Sequence, residues 1–215
     1  ALMPAPTVAA LAASGFENAR ADMAQLAAHV PFITIVDDDL FTVHDLFREF
    51  INANPAVEPD FRNTARRLGT ALVESGKAAD GLRVLISAGE TAAVEQALAA
   101  HAFELLETGQ RSIVNSSLAF LGEHSIEDTG LTLAIRGALA FSDGSASNSA
   151  NLYTRALERP LAPAIRVEVS RRLALSYANR GNFAEAIAVI EPLENDASLP
   201  VEDRLDVAAM GTMFK

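Results

Sequence analysis

Four glycines recur along this chain at a nearly constant spacing, and this spacing is the feature that most constrains its fold. They are Gly76, Gly109, Gly144 and Gly181, so the intervals between them are 33, 35 and 37 residues. Each follows an Ala- and Leu-rich stretch and precedes another. Glycine often ends an α-helix, because it adopts a left-handed backbone conformation without steric strain. The pattern therefore predicts a series of helical pairs with a glycine between the two helices of each pair.

A second repeat sets the period of these pairs. Residues 66–69 (Arg-Arg-Leu-Gly) align with residues 171–174 (Arg-Arg-Leu-Ala) at an offset of 171 − 66 = 105, which is three steps of 35. A period of about 34 residues is typical of tetratricopeptide-like helix pairs. The last copy fits that pattern best, with large and small residues at Leu173, Ala174, Tyr177, Gly181, Phe183, Ala186 and Ile190. We expect residues 55–215 to form a tetratricopeptide-like α-α superhelix.

The composition agrees with a mainly α fold and excludes several functional classes. Half of the 215 residues are hydrophobic, aromatic residues are few and tryptophan is absent, which suits close-packed helices. The absence of cysteine excludes disulfides, thiolate metal sites and cysteine catalysis, and it fits a reducing, cytoplasmic compartment. A net charge of −11 repels a phosphate backbone, so we do not expect this chain to bind DNA or RNA by itself. No apolar run reaches about 18 residues, so no membrane span is expected.

The first 54 residues begin with two helical patterns. They cover Thr7–Ser14 and Phe16–His29, and Gly15 is the expected stop of the first. The second pattern places apolar side chains on one stripe: Phe16, Ala19, Met23, Leu26 and Ala27. We therefore expect two helices, the second of which buries this stripe.

Two β-prone runs follow, at Phe32–Val36 and Phe41–Val43, and Asp37-Asp38-Asp39 separates them. Short β-prone runs joined by turn-forming residues predict a β-hairpin. Helical spacing resumes at Leu46 and ends before Pro55. Two helices, a hairpin and a third helix outline a winged-helix subdomain of residues 1–54, and the segment 55–60, with its two prolines, is the expected linker.

His44 lies where the second strand of the predicted hairpin gives way to the third helix. His44 or Asp45 can cap that helix, and the unpaired amides and positive dipole of a helix N-terminus attract phosphate. Two interpretations of His44 stay open. It contacts a phosphate, or it packs at the strand–helix junction with bonds to the backbone. Asp45 is likewise a helix cap or a ligand.

The residues Val43-His44-Asp45-Leu46-Phe47-Arg48 resemble the histidine motif that closes the winged-helix domain of STAND-type signalling ATPases. The form in bacterial MalT-like regulators, which are large ATP-binding LuxR-type proteins, is the more similar. In that family the histidine helps to hold ADP in the resting state. The resemblance therefore implies an ADP-phosphate contact for His44, with Asp45 as a further candidate. It also implies helical pairs that receive a small-molecule inducer or a partner protein.

Two parts of that family are missing from this sequence. It has no phosphate-binding P-loop pattern, and no basic helix-turn-helix closes it. It starts without Met and ends in an apolar, apparently helical stretch at Met213-Phe214-Lys215. We therefore expect a non-enzymatic regulatory and sensor fragment of an ATP-dependent transcriptional regulator, with no cofactor of its own. ATP or ADP would bind an upstream domain of the same chain, and DNA a C-terminal one. The alternative is a self-standing tetratricopeptide-like scaffold that binds an extended peptide.

No pattern predicts a metal site or a catalytic site. Asp37–Asp39 offer oxygen ligands, but consecutive residues of an extended chain alternate in direction, so a solvated hairpin tip is the preferred interpretation. His29, His101 and His124 lack the spacing of a zinc site. The segment 145–149 (Ser-Ala-Ser-Asn-Ser) has no nucleophile-elbow pattern and predicts a loop followed by a helix start.

Two arginine pairs leave two interpretations open. Arg66 and Arg67 occupy the same repeat positions as Arg171 and Arg172. Their guanidinium groups can bind an anionic ligand in a groove between helices. Alternatively they lie on exposed helix faces, which is the commoner situation for arginine.

Overall fold

The computed structural model describes residues 7–13, 15–30, 32–37, 39–44, 59–126, 128–196 and 199–214. These residues confirm a mainly helical fold with one small antiparallel two-stranded hairpin. The elements before residue 59 are α1 (Val8–Ala13), α2 (Ala19–His29), β1 (Ile33–Ile35) and β2 (Phe41–Val43). The helices that follow are α3 (Pro59–Glu74), α4 (Ala78–Ser87), α5 (Thr91–Glu107), α6 (Arg111–Glu123), α7 (Gly130–Ser142), α8 (Ala146–Leu157), α9 (Pro163–Ala178), α10 (Phe183–Glu194) and α11 (Val201–Phe214). Their assignment to a winged helix and a tetratricopeptide-like superhelix stays a prediction.

The hairpin forms at the two predicted β-prone runs. β1 and β2 are antiparallel, and Ile33 pairs with Val43. Phe41 is 2% exposed, so β2 contributes a large apolar side chain to the interior. At the tip, the Asp39 N–H donates to Asp37 Oδ1 at 2.9 Å, a bond that stabilises a tight turn. The two aspartates thus serve the turn of the hairpin.

The segment around α1 is joined to the hairpin by backbone pairing. Thr7 forms an antiparallel bridge with Leu40, and the Val8 N–H donates to Asp39 O at 3.0 Å. Thr7 Oγ1 also accepts the Ala10 N–H at 3.1 Å, which satisfies an amide at the start of α1. α1 packs against α2 and α3 as well. It therefore connects the hairpin to the first helical pair.

The second helix differs in part from its prediction. α2 begins at Ala19, so Phe16 lies in the turn after Gly15 and outside the helical register. Ala19 and Met23 are buried as expected, whereas Phe16 and Leu26 are 41% and 45% exposed. Only two of the five residues of the predicted apolar stripe are therefore placed in the core.

The four recurring glycines end α3, α5, α7 and α9, as predicted. Their φ angles are +79°, +77°, +75° and +76°, in the left-handed region. After α7, for example, the Gly144 N–H donates to Phe141 O and the Ser145 N–H donates to Ala140 O, both at 2.9 Å. These two hydrogen bonds form the Schellman motif, which satisfies carbonyl groups at a helix C-terminus. The same pair of bonds follows α3, α5 and α9.

Contacts divide the chain into two compact units. The first contains residues 1–101 and 112–120, and the second contains residues 102–111 and 121–215. In the first unit α3 packs against α4, and Ala10 of α1 packs on the apolar cluster of these helices: Ala65, Leu68, Leu72, Val84 and Ala88. The predicted domain boundary between residues 54 and 55 lies outside the described residues, as does most of the predicted linker.

In the second unit, each helix from α7 to α11 packs against its neighbour in sequence. α9 also contacts α7 and α11. One apolar cluster surrounds the Tyr153 ring and consists of Leu133, Ala134, Ala138, Ala150, Ala156, Val169 and Leu173. Gly137 allows the ring to approach α7, because a Cβ at Gly137 would lie 2.7 Å from Tyr153 Cε1. Among the described helices, none is both long and apolar enough to cross a membrane.

Candidate functional site

His44 lies directly after β2, at the open end of the hairpin. Its N–H donates to Phe32 O at 2.8 Å, which extends the strand pairing by one bond. The imidazole packs edge-on against the Phe32 ring, with 6.2 Å between ring centroids, and the residue is exposed. A backbone bond and a ring contact therefore hold this exposed residue against Phe32. This geometry is compatible with both interpretations of His44.

The other predicted member of the phosphate site, Asp45, lies outside the described residues. The predicted third helix, which starts beside it, lies outside them too. The capping of that helix and a contact of Asp45 with phosphate therefore stay predictions.

Arg66 and Arg67 line an open cleft of about 490 Å³ in the first unit. The walls of the cleft are the end of α1, one face of α3 and the first turns of α5, and its lining consists of Ala13, Arg66, Arg67, Thr70, Ala71, Glu74, Glu90, Ala92, Ala93 and Gln96. Arg66 Nη2 donates to Asn63 Oδ1 at 3.0 Å. Arg67 lies against the turn after α1, since a Cβ at Gly15 would collide with its guanidinium group. The first arginine pair thus faces a cleft, as one interpretation of the sequence required.

The second arginine pair is engaged by carboxylates. Arg172 Nη2 lies 2.6 Å from Glu107 Oε1, and its Nε lies 2.6 Å from Glu168 Oε1. The guanidinium carbon is 4.6 Å from the centroid of the Phe103 ring, a cation–π distance. Arg171 forms a longer ion pair, 3.5 Å, with Glu168 Oε2. The Arg172 side chain is only 18% exposed, and its Nε and Nη2 atoms are both paired with carboxylates. Arg172 therefore holds helices together rather than binding a ligand.

The charges around Arg172 also fix its protonation state. Burial by itself would lower the pKa of Arg172, but the charge of Glu168 and the hydrogen bond to Glu107 outweigh it, so the pKa is raised. At the surface, the hydrogen bond from Arg111 lowers the pKa of Asp143, at an Nη2–Oδ2 distance of 2.7 Å. In both ion pairs the shifted pKa values favour the charged forms. General acid–base chemistry instead needs a group whose pKa is shifted so that it can gain or lose a proton during the reaction.

Tyr153 is the largest fully buried side chain of the described residues, and its hydroxyl group lacks a hydrogen-bond partner among them. The neighbouring Ser149 Oγ lies 3.0 Å from Ser176 Oγ, and Ser176 Oγ donates to Arg172 O at 2.9 Å. Because Ser176 uses its hydrogen on that carbonyl, Ser149 must donate to Ser176. Burial raises the pKa of Tyr153 to about 12, although Arg172 and Ser149 lower it in part.

The remaining candidate residues are not brought together. His29 Nδ1 is 2.8 Å from Gln25 O of its own helix. Within the described ranges, no group of three His, Asp or Glu side chains could hold a metal ion. The segment 145–149 forms the turn before α8 and its first turn, as predicted, and Ser149 is buried.

Sequence reasoning missed the carboxylates around both arginine pairs. Glu168 could have been predicted as a partner of Arg172 from the sequence, because it precedes Arg172 by four residues, a spacing at which helical side chains meet. Glu107 was not, because it lies 65 residues from Arg172 and nothing local marks it. Glu90 was missed for the same reason, since only the fold places it in the cleft of Arg66 and Arg67, whereas Glu74 lies seven residues after Arg67 on the same helix.

Comparison of the chain with protein-family models, with curated proteins and with solved structures found no match. Support for a function therefore comes from the residues and geometry described above.

Proposed function

We propose that this chain is the regulatory and sensor part of an ATP-dependent transcriptional regulator of the MalT-like type. Residues 1–54 act as a winged-helix subdomain that stabilises the ADP-bound resting state of an upstream nucleotide-binding domain. The helical pairs receive a small-molecule inducer or a partner protein. The observation that carries the proposal is the position of His44, whose exposed imidazole follows β2 directly while its backbone is bonded to Phe32.

The physical reason is that an ordered backbone and an exposed side chain suit an oriented hydrogen bond. An imidazole donates a hydrogen bond to a phosphate oxygen. Because the backbone at His44 is already ordered, less conformational entropy is lost when the bond forms. An inducer then activates the protein by binding the open state better than the closed state, which shifts the population of the two.

The proposal is tested by exchanging the motif in the intact regulator. We expect His44→Ala and Asp45→Val to lower the ADP content of the purified protein and to raise transcription without inducer. His29→Ala is the matched control, because His29 is exposed and bonded only within its own helix in the described structure. Bound ADP is quantified by chromatography after denaturation. ADP content and basal transcription that stay at the wild-type level in both motif variants would refute the proposal.

A second candidate, the self-standing peptide-binding scaffold, is favoured by the open cleft on α3 and α5. The two functions predict different native proteins. An antibody against this chain should detect a product several times larger than 22.8 kDa in a source-cell extract if the regulator proposal holds. A band at 22.8 kDa would leave His44 without a nucleotide domain and would favour the scaffold.

A further inference from the structure

The cleft bounded by α1, α3 and α5 carries charges of both signs that do not neutralise one another. The side chains of Arg67, Glu74 and Glu90 form no hydrogen bond or ion pair with any described residue, and the Arg66 side chain bonds only to Asn63 within that part of the chain. Guanidinium groups bind carboxylates in a two-pronged geometry, and carboxylates bind ammonium groups. The lining is therefore complementary to a ligand that has both a carboxylate and an ammonium group.

The direction of such a ligand follows from α3 itself. The C-terminal end of a helix carries a partial negative charge, which favours a cation nearby. The last turn of α3 contains Glu74 and no basic residue, so its negative end is not compensated within the helix. An ammonium group is favoured at this end, and a carboxylate is favoured at Arg67, further towards the helix N-terminus.

The length of the ligand follows from the spacing of these two residues. Arg67 and Glu74 are seven residues apart, two turns along one face of α3, which corresponds to about 10 Å at ~1.5 Å per residue. An extended peptide covers roughly 3.3–3.6 Å per residue, so about three residues span the same distance. A single amino acid is shorter than this spacing along the helix.

The rest of the lining suits a peptide backbone. Ala71, Ala92 and Ala93 leave room, whereas Thr70 and Gln96 offer donors and acceptors for peptide amide groups. The volume of about 490 Å³ lies in the usual range of small-ligand pockets. We infer that this cleft binds a short peptide of about three residues with both ends unblocked, its carboxylate on Arg67 and its ammonium group on Glu74.

This inference rests on the proposed function only for its biological role, as the signal that the sensor part receives. Arg67 lies against the turn at Gly15, and Ala13 at the end of α1 forms part of the cleft wall. Thr7, which precedes α1, pairs with Leu40 of the hairpin. A peptide on Arg67 therefore contacts the same segment that is joined to the hairpin and His44.

The test is a titration of the isolated chain with tri-alanine, followed by backbone amide NMR shifts. We expect shifts at amides of the cleft and of the adjoining α1 segment. N-acetyl-tri-alanine and tri-alanine amide each lack one charge, and we expect each to bind about tenfold more weakly, as the loss of one charged contact implies. Arg67→Gln and Glu74→Gln should weaken tri-alanine binding by about the same factor. Arg83→Gln is the control, because Arg83 is an exposed arginine of α4 that pairs with Asp80 outside the cleft.

Three results would overturn the inference: no shifts at cleft amides, equal binding of the blocked peptides, or weakening by Arg83→Gln equal to that by Arg67→Gln. Thermal melting of each variant separates loss of binding from loss of folding. The binding test does not depend on ADP retention in the intact regulator. Tri-alanine binding with unchanged ADP in the His44 variant would thus refute the proposed function and support the cleft assignment, and the reverse pair of results would do the opposite.

Discussion

Replacing Tyr153 with phenylalanine is expected to stabilise this protein, although it removes a polar group from the core. The side chain is 0% exposed, and no described residue offers its hydroxyl group a hydrogen bond. The neighbouring Ser149 hydroxyl group donates to Ser176 and not to the tyrosine. Folding therefore takes the tyrosine hydroxyl from water and leaves it near Ser149 and Arg172 without a hydrogen bond of standard geometry.

The magnitude follows from that exchange. An unsatisfied buried hydroxyl group destabilises a fold by about 1–3 kcal/mol. Phenylalanine keeps the ring against Gly137 and the surrounding aliphatic cluster, so only the contacts of one oxygen atom are lost. We expect the free energy of unfolding to rise by about 1 kcal/mol, which for a chain of this size raises Tm by roughly 2–4 °C.

The same hydroxyl group makes stability depend on pH at the alkaline end. The pKa of Tyr153 rises from 10.0 to about 12 on folding, because burial disfavours the tyrosinate. Between these two values the unfolded chain loses the proton and the folded chain keeps it, so stability falls as pH rises. A difference of about two pKa units amounts to roughly 3 kcal/mol lost between pH ~10 and ~12. Tyr153→Phe should abolish this part of the loss.

Urea unfolding followed by circular dichroism measures the first effect, and absorbance of tyrosinate during alkaline titration measures the second. The chain has two tyrosines and no tryptophan, so each tyrosine contributes half of the absorbance change. Tyr177→Phe is the matched control, because Tyr177 is only partly buried and its loss should change stability by less than about 0.5 kcal/mol. A Tyr153→Phe variant that is less stable than wild type by about 1 kcal/mol or more would show that the hydroxyl group has a partner, and the reasoning would fail.

The remaining predictions concern helix turns and the Arg172 cluster. Gly144→Ala should destabilise by about 1 kcal/mol, because the added methyl group meets no atom within 4 Å and only the left-handed backbone is strained. Gly137→Ala should destabilise more, by about 2–3 kcal/mol, because its Cβ meets the Tyr153 ring; equal losses in thermal melting would contradict this order. Arg172→Met should destabilise by about 2 kcal/mol, since it leaves Glu168 half-buried without its closest cation, and a gain in stability would show that the desolvation of the pair outweighs its attraction.

The parts of the fold that were predictable are those in which one residue type decides the local conformation. Gly144 has to adopt positive φ for the Ser145 N–H to reach a carbonyl of α7, so the sequence alone marks the turn. The two arginine pairs show what the sequence could not predict. Arg67 and Arg172 hold equivalent repeat positions, yet one lines an open cleft and the other is held between two carboxylates. Their difference arises from Glu107, which only the tertiary fold brings to Arg172.

The six-residue helix α1 explains how the cleft and the hairpin can influence each other. A helix this short is not stable alone, because its few hydrogen bonds do not offset the entropy lost in nucleation. Its position therefore depends on what it touches, and no residue of α1 is buried. On one side Ala10 packs on the α3–α4 cluster, and on the other the Val8 N–H bonds to the hairpin. Because weakly held elements respond to small energies, we expect a ligand that changes the contact of Arg67 with Gly15 to affect the Val8–Asp39 bond to the hairpin if it supplies about 1–2 kcal/mol.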